Sequence, residues 1–343
     1  MYEKESELGA ASRILGKKAV ILKTDNKGYD LWIKKDEYGA ILGYRPKQRR
    51  SIPRESDRMT TTAKDIVATV GELVALPDIC FKINELVEDP FVSAVSIAEL
   101  ISQDPSLCAQ LLKIANSPFY GFPSRVETIN RALMVVGTNE VRDMVLATSI
   151  INAFSRYHSD AFDMEQFWYH SLMTGLMARH LAGFASTPVL HRDRLFIAGL
   201  LHNIGQLVMA MRIDSLVAEL VEKARSGNVV PEEVQQEIFE LDHGEVGAEL
   251  MRQWQLPESL IEVAEFHHFP DRAEKYPLDI AIVNIAASSV SREIAEDNRY
   301  FGHDDIAEIS WRTSGLNMNH VGEALENVLA EYLGIEGAFF GTR

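Results

Sequence analysis

From Ala63 to the C-terminus the sequence repeats one pattern: a capping residue, then apolar side chains three or four apart. That spacing commits a chain to helices, because residues so placed share one face of a 3.6-residue turn. Asp104-Pro105 sets an N-cap before a proline, and Leu107, Leu111, Leu112 and Ala115 follow on one face. Ser96-Ile-Ala-Glu99 has the form of a capping box. Gly137 closes one helix and Thr138 opens the next, which carries Val141, Val145 and Thr148. Asp163, Pro231 and Pro257 mark three more helix starts. His303 to Leu333 supplies two further helices, one with Trp311 and one with Val321, Leu325 and Val328. Alternation of period two is scarce after Ala63. The expected fold is all-α, a two-lobed helical bundle: residues 59–155 as an N-terminal helical lobe, 156–300 as a second lobe, and 301–343 as C-terminal helices packing on that module. Gly71 and Gly175, inside helical patterns, read as points of close helix packing.

The first 58 residues differ. Ala19-Val-Ile-Leu22 and Tyr29-Asp-Leu-Trp-Ile33 are β-prone and flank the turn signal Asp25-Asn-Lys-Gly28. The segment reads as a small hairpin, or as a disordered leader upstream of a functional start near Met59. It holds 14 Lys and Arg against 9 Asp and Glu, so it is basic, while residues 59–343 carry a net charge of −21. So acidic a body repels phosphate backbones, and general nucleic-acid binding is not expected. The basic run Arg45-Pro-Lys-Gln-Arg-Arg50 reads as a solvated linker, and Glu232, Glu233, Glu237 and Glu240 as a solvated helix face.

Two cysteines, Cys80 and Cys108, make no disulfide framework and read as small core residues, which fits a reduced, cytoplasmic setting. No membrane-spanning helix is expected, and the N-terminus lacks the apolar core of a secretory signal. Asn116-Ser-Pro-Phe119 reads as a helix end and turn. Phe119, Tyr120 and Phe122 are candidates for an aromatic patch between the lobes, with core packing expected for at least two of them.

The second lobe holds the chemistry. His170, His202, His243, His267 and His268 all fall within it, and neutral imidazoles aimed inward from bundled helices are common ligands for zinc or iron. Taken singly, each is more simply a hydrogen-bonded core or surface residue. Their contexts bind them together: Trp168-Tyr-His-Ser171, then Ala198-Gly-Leu-Leu-His-Asn-Ile-Gly-Gln-Leu207, then Asp242-His-Gly-Glu-Val-Gly247, then Glu265-Phe-His-His268, then Val283-Asn-Ile-Ala286.

This order resembles the HD superfamily of metal-dependent phosphohydrolases, including its branch that cleaves cyclic di-GMP. The resemblance is closer to the HDOD family of non-enzymatic output domains. It rests on Leu76-Pro77, Asp104-Pro-Ser-Leu107, Leu111-Leu-Lys-Ile-Ala-Asn-Ser117, Phe119-Tyr-Gly121, Ile129-Asn-Arg-Ala132 and Val136-Gly137. It runs from about Leu73 to the C-terminal helices and implies an all-helical, HD-like second lobe.

The departures from the enzymes decide the expected activity. The resemblance implies aspartate ligands where this chain has Asn203 and, by alignment, Asn284. A carboxylate neutralises cationic charge and bridges with two oxygens, whereas an amide offers one neutral oxygen. Losing both should remove the activated water on which hydrolysis depends. Gln206 replaces a lysine suited to a phosphate. Phe269-Pro-Asp-Arg272 lacks the glycine-tyrosine-proline signature of cyclic di-GMP hydrolases, since Tyr276-Pro277 follows Lys275.

The expectation is therefore a regulatory output module without catalysis, acting by protein or ligand binding in a bacterial signalling pathway. Its expected partners are signalling proteins such as cyclic di-GMP enzymes or response regulators. No resident cofactor is expected, with a single divalent zinc or iron ion as the reservation that the histidines keep open. Two rivals stand beside it: a phosphohydrolase with a reduced, histidine-rich metal site, and a nucleotide sensor that binds without cleaving.

Overall fold

The computed structural model describes residues 19–23, 30–34, 62–70, 75–89, 91–158, 162–189, 191–212, 242–294 and 306–340. Ala19–Lys23 (β1) and Asp30–Lys34 (β2) pair as an antiparallel hairpin with Ile21 opposite Trp32. Everything described after residue 62 is helix or the turns between helices. The fold is all-α with that hairpin outside it. The expectations placed on Arg45–Arg50, Met59, Gly71, Pro231, the glutamates 232–240 and His303 lie outside the described residues.

A first group of helices comprises α2 (Asp78–Glu88), α3 (Ala94–Ser102), α4 (Pro105–Ala115), α5 (Ile129–Val135) and α6 (Thr138–Phe154). They pack mainly on one another. Asp104 caps α4 through the amides of Ser106 and Leu107, with Pro105 at the first position. Gly137, at φ 114°, takes a conformation that only glycine adopts cheaply and turns the chain from α5 into α6. One cap falls earlier than the sequence suggests. Ser93, not Ser96, caps α3 by accepting the Ser96 amide at 3.1 Å. Starting there adds Ala94, Val95 and Ser96, all exposed, ahead of the buried Ile97, Ala98 and Ile101.

The second group is α7 (Met164–Leu181), α8 (Arg192–Leu201), α9 (His243–Gln253), α10 (Glu258–Phe266), α11 (Pro277–Ile294) and α12 (Glu308–Ser314). Asp163 caps α7 as expected, and Pro257 stands at the N-cap of α10. The last helix, α13 (Met318–Phe340), runs past Leu333 and lies across both groups, touching α4, α6 and α7. Gln110 of α4 donates to the Phe339 carbonyl, and Lys113 to that of Gly337, so the end of α13 is capped by the first group. The opening helix α1 (Ala63–Val70) packs on α9 with Ile66, Val67 and Val70 buried. Its partner is thus in the second group, although it precedes the first in sequence. One continuous apolar core runs through both groups.

Arg192–Arg212 is long and apolar enough to cross a membrane, but 78 % of its most apolar window is buried against other helices. Its apolar character is that of a core element, consumed by α7 on one side and α10 and α11 on another.

Asn116 clamps the loop after α4, exchanging two hydrogen bonds with Val126 and donating to the Leu112 carbonyl. Phe119 is buried beneath the Arg179 guanidinium at 3.9 Å and against Phe196, while Tyr120 and Phe122 stack half-buried. Cys80 is buried, and desolvation pushes its thiol up to about 11. Cys108 is half-buried and donates to the Ile101 carbonyl.

Candidate functional site

Two glycine-to-backbone crossings assemble the site. Gly199 of α8 lies against Gly175 of α7, where an added Cβ would stand 2.8 Å from the Gly175 Cα. This close approach brings His170, five residues before Gly175 on the same helix, within 5.4 Å of the His202 ring, centroid to centroid. Helix α8 ends at Leu201, His202-Asn203 make a two-residue turn, and helix resumes over residues 204–212. Gly205 then abuts α9 so tightly that a Cβ would overlap the His243 carbonyl oxygen and crowd the Gly247 amide. The glycines of His-Asn-Ile-Gly and His-x-x-x-Gly thus face each other, and this contact lets Asn203 reach His243.

All five histidines, with Asn203, line one cavity of about 450 Å³. Nε2 of His243 lies 3.0 Å from Nε2 of His268, 3.4 Å from Nε2 of His267 and 3.1 Å from Asn203 Oδ1. The ligating atoms of His243, His267 and His268 fall within 4.8 Å of one another, a cluster that can hold a metal ion. His170 sits deeper, 3.0 Å from Ser291 Oγ of α11.

Proton bookkeeping shows that the residues fit such an ion. Nδ1 of His202 faces the Gly199 carbonyl at 2.7 Å, and Nδ1 of His267 faces that of Ala264 at 2.8 Å. A carbonyl only accepts, so both rings carry their proton on Nδ1 and turn the Nε2 lone pair inward. Around His243 Nε2, two imidazole nitrogens and an amide oxygen converge, and one N–H can serve one of them well. The cluster has more lone pairs than protons, which a cation would resolve. Backbone carbonyls behind the rings are also the support that fixes metal-binding histidines.

Burial keeps His170, His202, His243 and His267 neutral. Desolvation pushes His170 down to about 4, against a hydrogen bond to the Ala287 backbone. It pushes His202 and His267 well below the usual histidine range, helped by the neighbouring imidazoles. His243 shifts the same way through desolvation and His268, although 21 % of its side chain is exposed.

The two asparagines play different parts. Asn203 points its oxygen into the cluster. Asn284, 2 % exposed, is committed elsewhere: its Nδ2 donates to the His267 carbonyl at 2.8 Å. Its Oδ1 accepts from Ser310 Oγ at 2.8 Å and the Ala307 amide at 3.2 Å. It ties α12 to the backbone of a site histidine, with both oxygen lone pairs used. Gln206 and Asp242 line the cavity as well, and Asp242 is the one carboxylate among the described lining residues. No described lining residue is a lysine or arginine.

Two positioning residues escape a reading of the sequence. Asp242 caps α9 through the Gly244 amide at 2.9 Å, a role its place before an apolar helix could have signalled. Glu262, buried in α10, accepts the amides of Glu274, Lys275 and Tyr276 at 2.7–3.2 Å. It fastens the segment that joins His267-His268 to α11. A glutamate within Leu260-Ile-Glu-Val-Ala264 was the available signal.

Comparisons with known proteins agree with this architecture. A family model of the HDOD domain matches residues 73–270. An uncharacterized protein of Treponema pallidum (strain Nichols) is 29 % identical over 265 residues, which is 76 % of this chain and 51 % of that protein. The chain therefore spans about half the length of that relative. Among solved structures, an HDOD domain protein of unknown function from Geobacter sulfurreducens is similar with a TM-score of 0.59 and 21 % identity, covering 81 % of this chain and 98 % of that one. A protein from Shewanella amazonensis SB2B, provisionally described as a phosphohydrolase, gives 0.57 and 23 %, covering 82 % and 98 %. One from Marinobacter aquaeolei VT8, provisionally described as a signal transduction protein, gives 0.57 and 20 %, covering 83 % and 62 %. At these identities the likeness shows the fold.

Proposed function

Since the chain belongs to the HDOD domain family, we propose that it is a regulatory module of bacterial signal transduction that binds and does not hydrolyse. The observation that carries this reading is Asn203, whose neutral amide oxygen stands 3.1 Å from His243 Nε2 in the heart of the histidine cluster. An ion there would be held by imidazoles and one amide alone, with no carboxylate among the histidines to bridge it to a second. With no anionic bridge to hold two ions, the paired-metal hydroxide of a phosphohydrolase has no seat. The cavity also offers no described cation for a phosphate. The module acts through a protein partner, such as a cyclic di-GMP enzyme or a response regulator, in the cytoplasm. Occupancy of the histidine cluster biases its conformation.

The test is direct. The full chain, loaded in turn with Mn²⁺, Fe²⁺ and Zn²⁺, should show no turnover of phosphomonoesters, nucleotides or cyclic di-GMP. It should recover a stable signalling partner from its native host. Metal-dependent turnover that vanishes in His202→Ala would overturn the proposal.

A second reading keeps the enzyme, because the inward lone pairs of His202 and His267 form a better metal seat than discarded ligands need. Such an ion would supply a Lewis acid, and His202, His243, His267 and His268 would hold it. The same turnover assay separates the two. The nucleotide-sensor alternative is tested by calorimetry with cyclic dinucleotides and guanosine polyphosphates, for which the cation-free lining leads us to expect no heat.

A further inference from the structure

Asp242 stands at the junction of two tasks. Its Oδ1 accepts the Gly244 amide at 2.9 Å, capping α9, and lies 4.0 Å from Nδ1 of His243. The opposite nitrogen of that ring, Nε2, is the one that meets His267 and His268. In His202 and His267 a backbone carbonyl holds the Nδ1 proton and leaves Nε2 free to bind. Beside Nδ1 of His243 stands instead a charge, the Asp242 carboxylate at 4.0 Å, beyond direct hydrogen-bond reach.

We infer that Asp242 is the positioning residue of the metal centre, its charge beside Nδ1 favouring the His243 proton there so that the Nε2 lone pair faces the ion. This rests on the reading that the three-histidine cluster takes a divalent metal. Without an ion, the His243 proton is needed on Nε2, where Asn203 Oδ1 accepts it at 3.1 Å. Binding an ion requires that Nε2 be bare. The proton then moves to Nδ1, toward Asp242, and the carboxylate compensates part of the charge that Asn203 leaves unmatched. A carboxylate behind a ligating imidazole fixes the ring and raises its basicity. One residue supplies both the helix cap that orients His243 and the negative charge nearest it.

The two tasks separate in one substitution. Asparagine caps a helix about as well as aspartate, so Asp242→Asn keeps the cap and loses the charge. Zinc affinity of the full-length chain is measured by competition with a chromophoric chelator. Asp242→Asn should bind zinc about 10- to 100-fold more weakly, the usual effect of losing such a partner. The urea midpoint of the metal-free protein should not change. In the zinc form of the wild type, ¹⁵N spectra of histidine-labelled protein should show His243 protonated at Nδ1. Should Asp242→Asn fail to fold, Asp242→Ser keeps a capping oxygen and carries the same expectation. Wild-type protein that takes no zinc overturns the metal reading and this inference together. Zinc affinity equal in wild type and Asp242→Asn, or an Nε2 proton in the zinc form, overturns this inference alone.

Discussion

Exchanging each asparagine for aspartate should separate Asn203 from Asn284, two positions that look equivalent in sequence. At Asn284 the change is destructive. Its Nδ2 donates to the His267 carbonyl at 2.8 Å in a site that is 2 % exposed, and a carboxylate there sets one acceptor against another. Losing a buried hydrogen bond and leaving the partner unsatisfied costs about 1–3 kcal/mol, and an unpaired buried charge adds to it. We expect about 3 kcal/mol in all, or a fall in Tm of about 4 °C for a protein of this size. The introduced carboxyl can escape by protonating, which raises its folded pKa above the unfolded value. The penalty should therefore fade as pH falls toward the ordinary carboxylate range. At Asn203 the change is constructive. Its Oδ1 already faces His243 Nε2 at 3.1 Å, so a carboxylate gains a charge-assisted partner and puts an anion beside the cluster. Two unit charges 4 Å apart gain about 4 kcal/mol at an effective dielectric of about 20. After desolvation we expect at least tenfold tighter zinc binding, or about 1.4 kcal/mol. Thermal melts of the metal-free variants and zinc competition would measure both. Equal tightening in Asn203→Asp and Asn284→Asp, with no loss of Tm in the latter, would refute the assignment of Asn284 as a structural tie.

Gly205→Ala should cost several times the roughly 1 kcal/mol that Gly and Ala differ by in a helix, because its Cβ overlaps the His243 carbonyl. Urea melts should show the loss, and zinc binding should fall with it; a variant as stable as wild type would mean that the helices do not meet there. In chelator, His170 should make the protein acid-labile. Its pKa is lowered to about 4 when folded, so the unfolded chain binds the extra proton and stability drops as pH falls from about 6.5 toward 4. Its share is about 2 kcal/mol down to pH 5, and His170→Gln should remove it from urea midpoints compared at pH 7.5 and 5. Asp143 acts in the opposite sense. Burial holds its carboxyl up to about 6 despite Arg142 at 2.7 Å, so the folded state keeps a proton that the unfolded chain sheds from about 3.8. Stability is lost as pH rises through that window, by about 3 kcal/mol. Asp143→Asn should gain on wild type by a similar amount between pH 4 and 7.5, and a difference that stays constant with pH would contradict this.

The features legible in the sequence are those decided within one turn of helix. Asp104-Pro105 and Asp163 announce helix starts because a cap is a bond to an amide two or three residues on. Ser93 and Ser96 show the limit even there, since both can cap and either start keeps Ile97 and Ile101 within the helix. Convergence of the five histidines was legible only through the order of their motifs and the resemblance it carries, and the Gly205–α9 contact gives the physical reason for the glycines after His202 and His243. Illegible were the facts that depend on what each polar atom faces. Asn203 and Asn284 have the same chemistry and similar apolar neighbours in sequence. What separates them is the His267 carbonyl and the Ser310 hydroxyl, 17 and 26 residues from Asn284. For the same reason nothing in the sequence pairs α1 with α9, because its apolar face fits any helix of matching pitch and α9 begins more than 170 residues later. Helical periodicity states that a face will be buried; only the three-dimensional pairing of donors and acceptors states which amide reaches the cluster and which one is already spent.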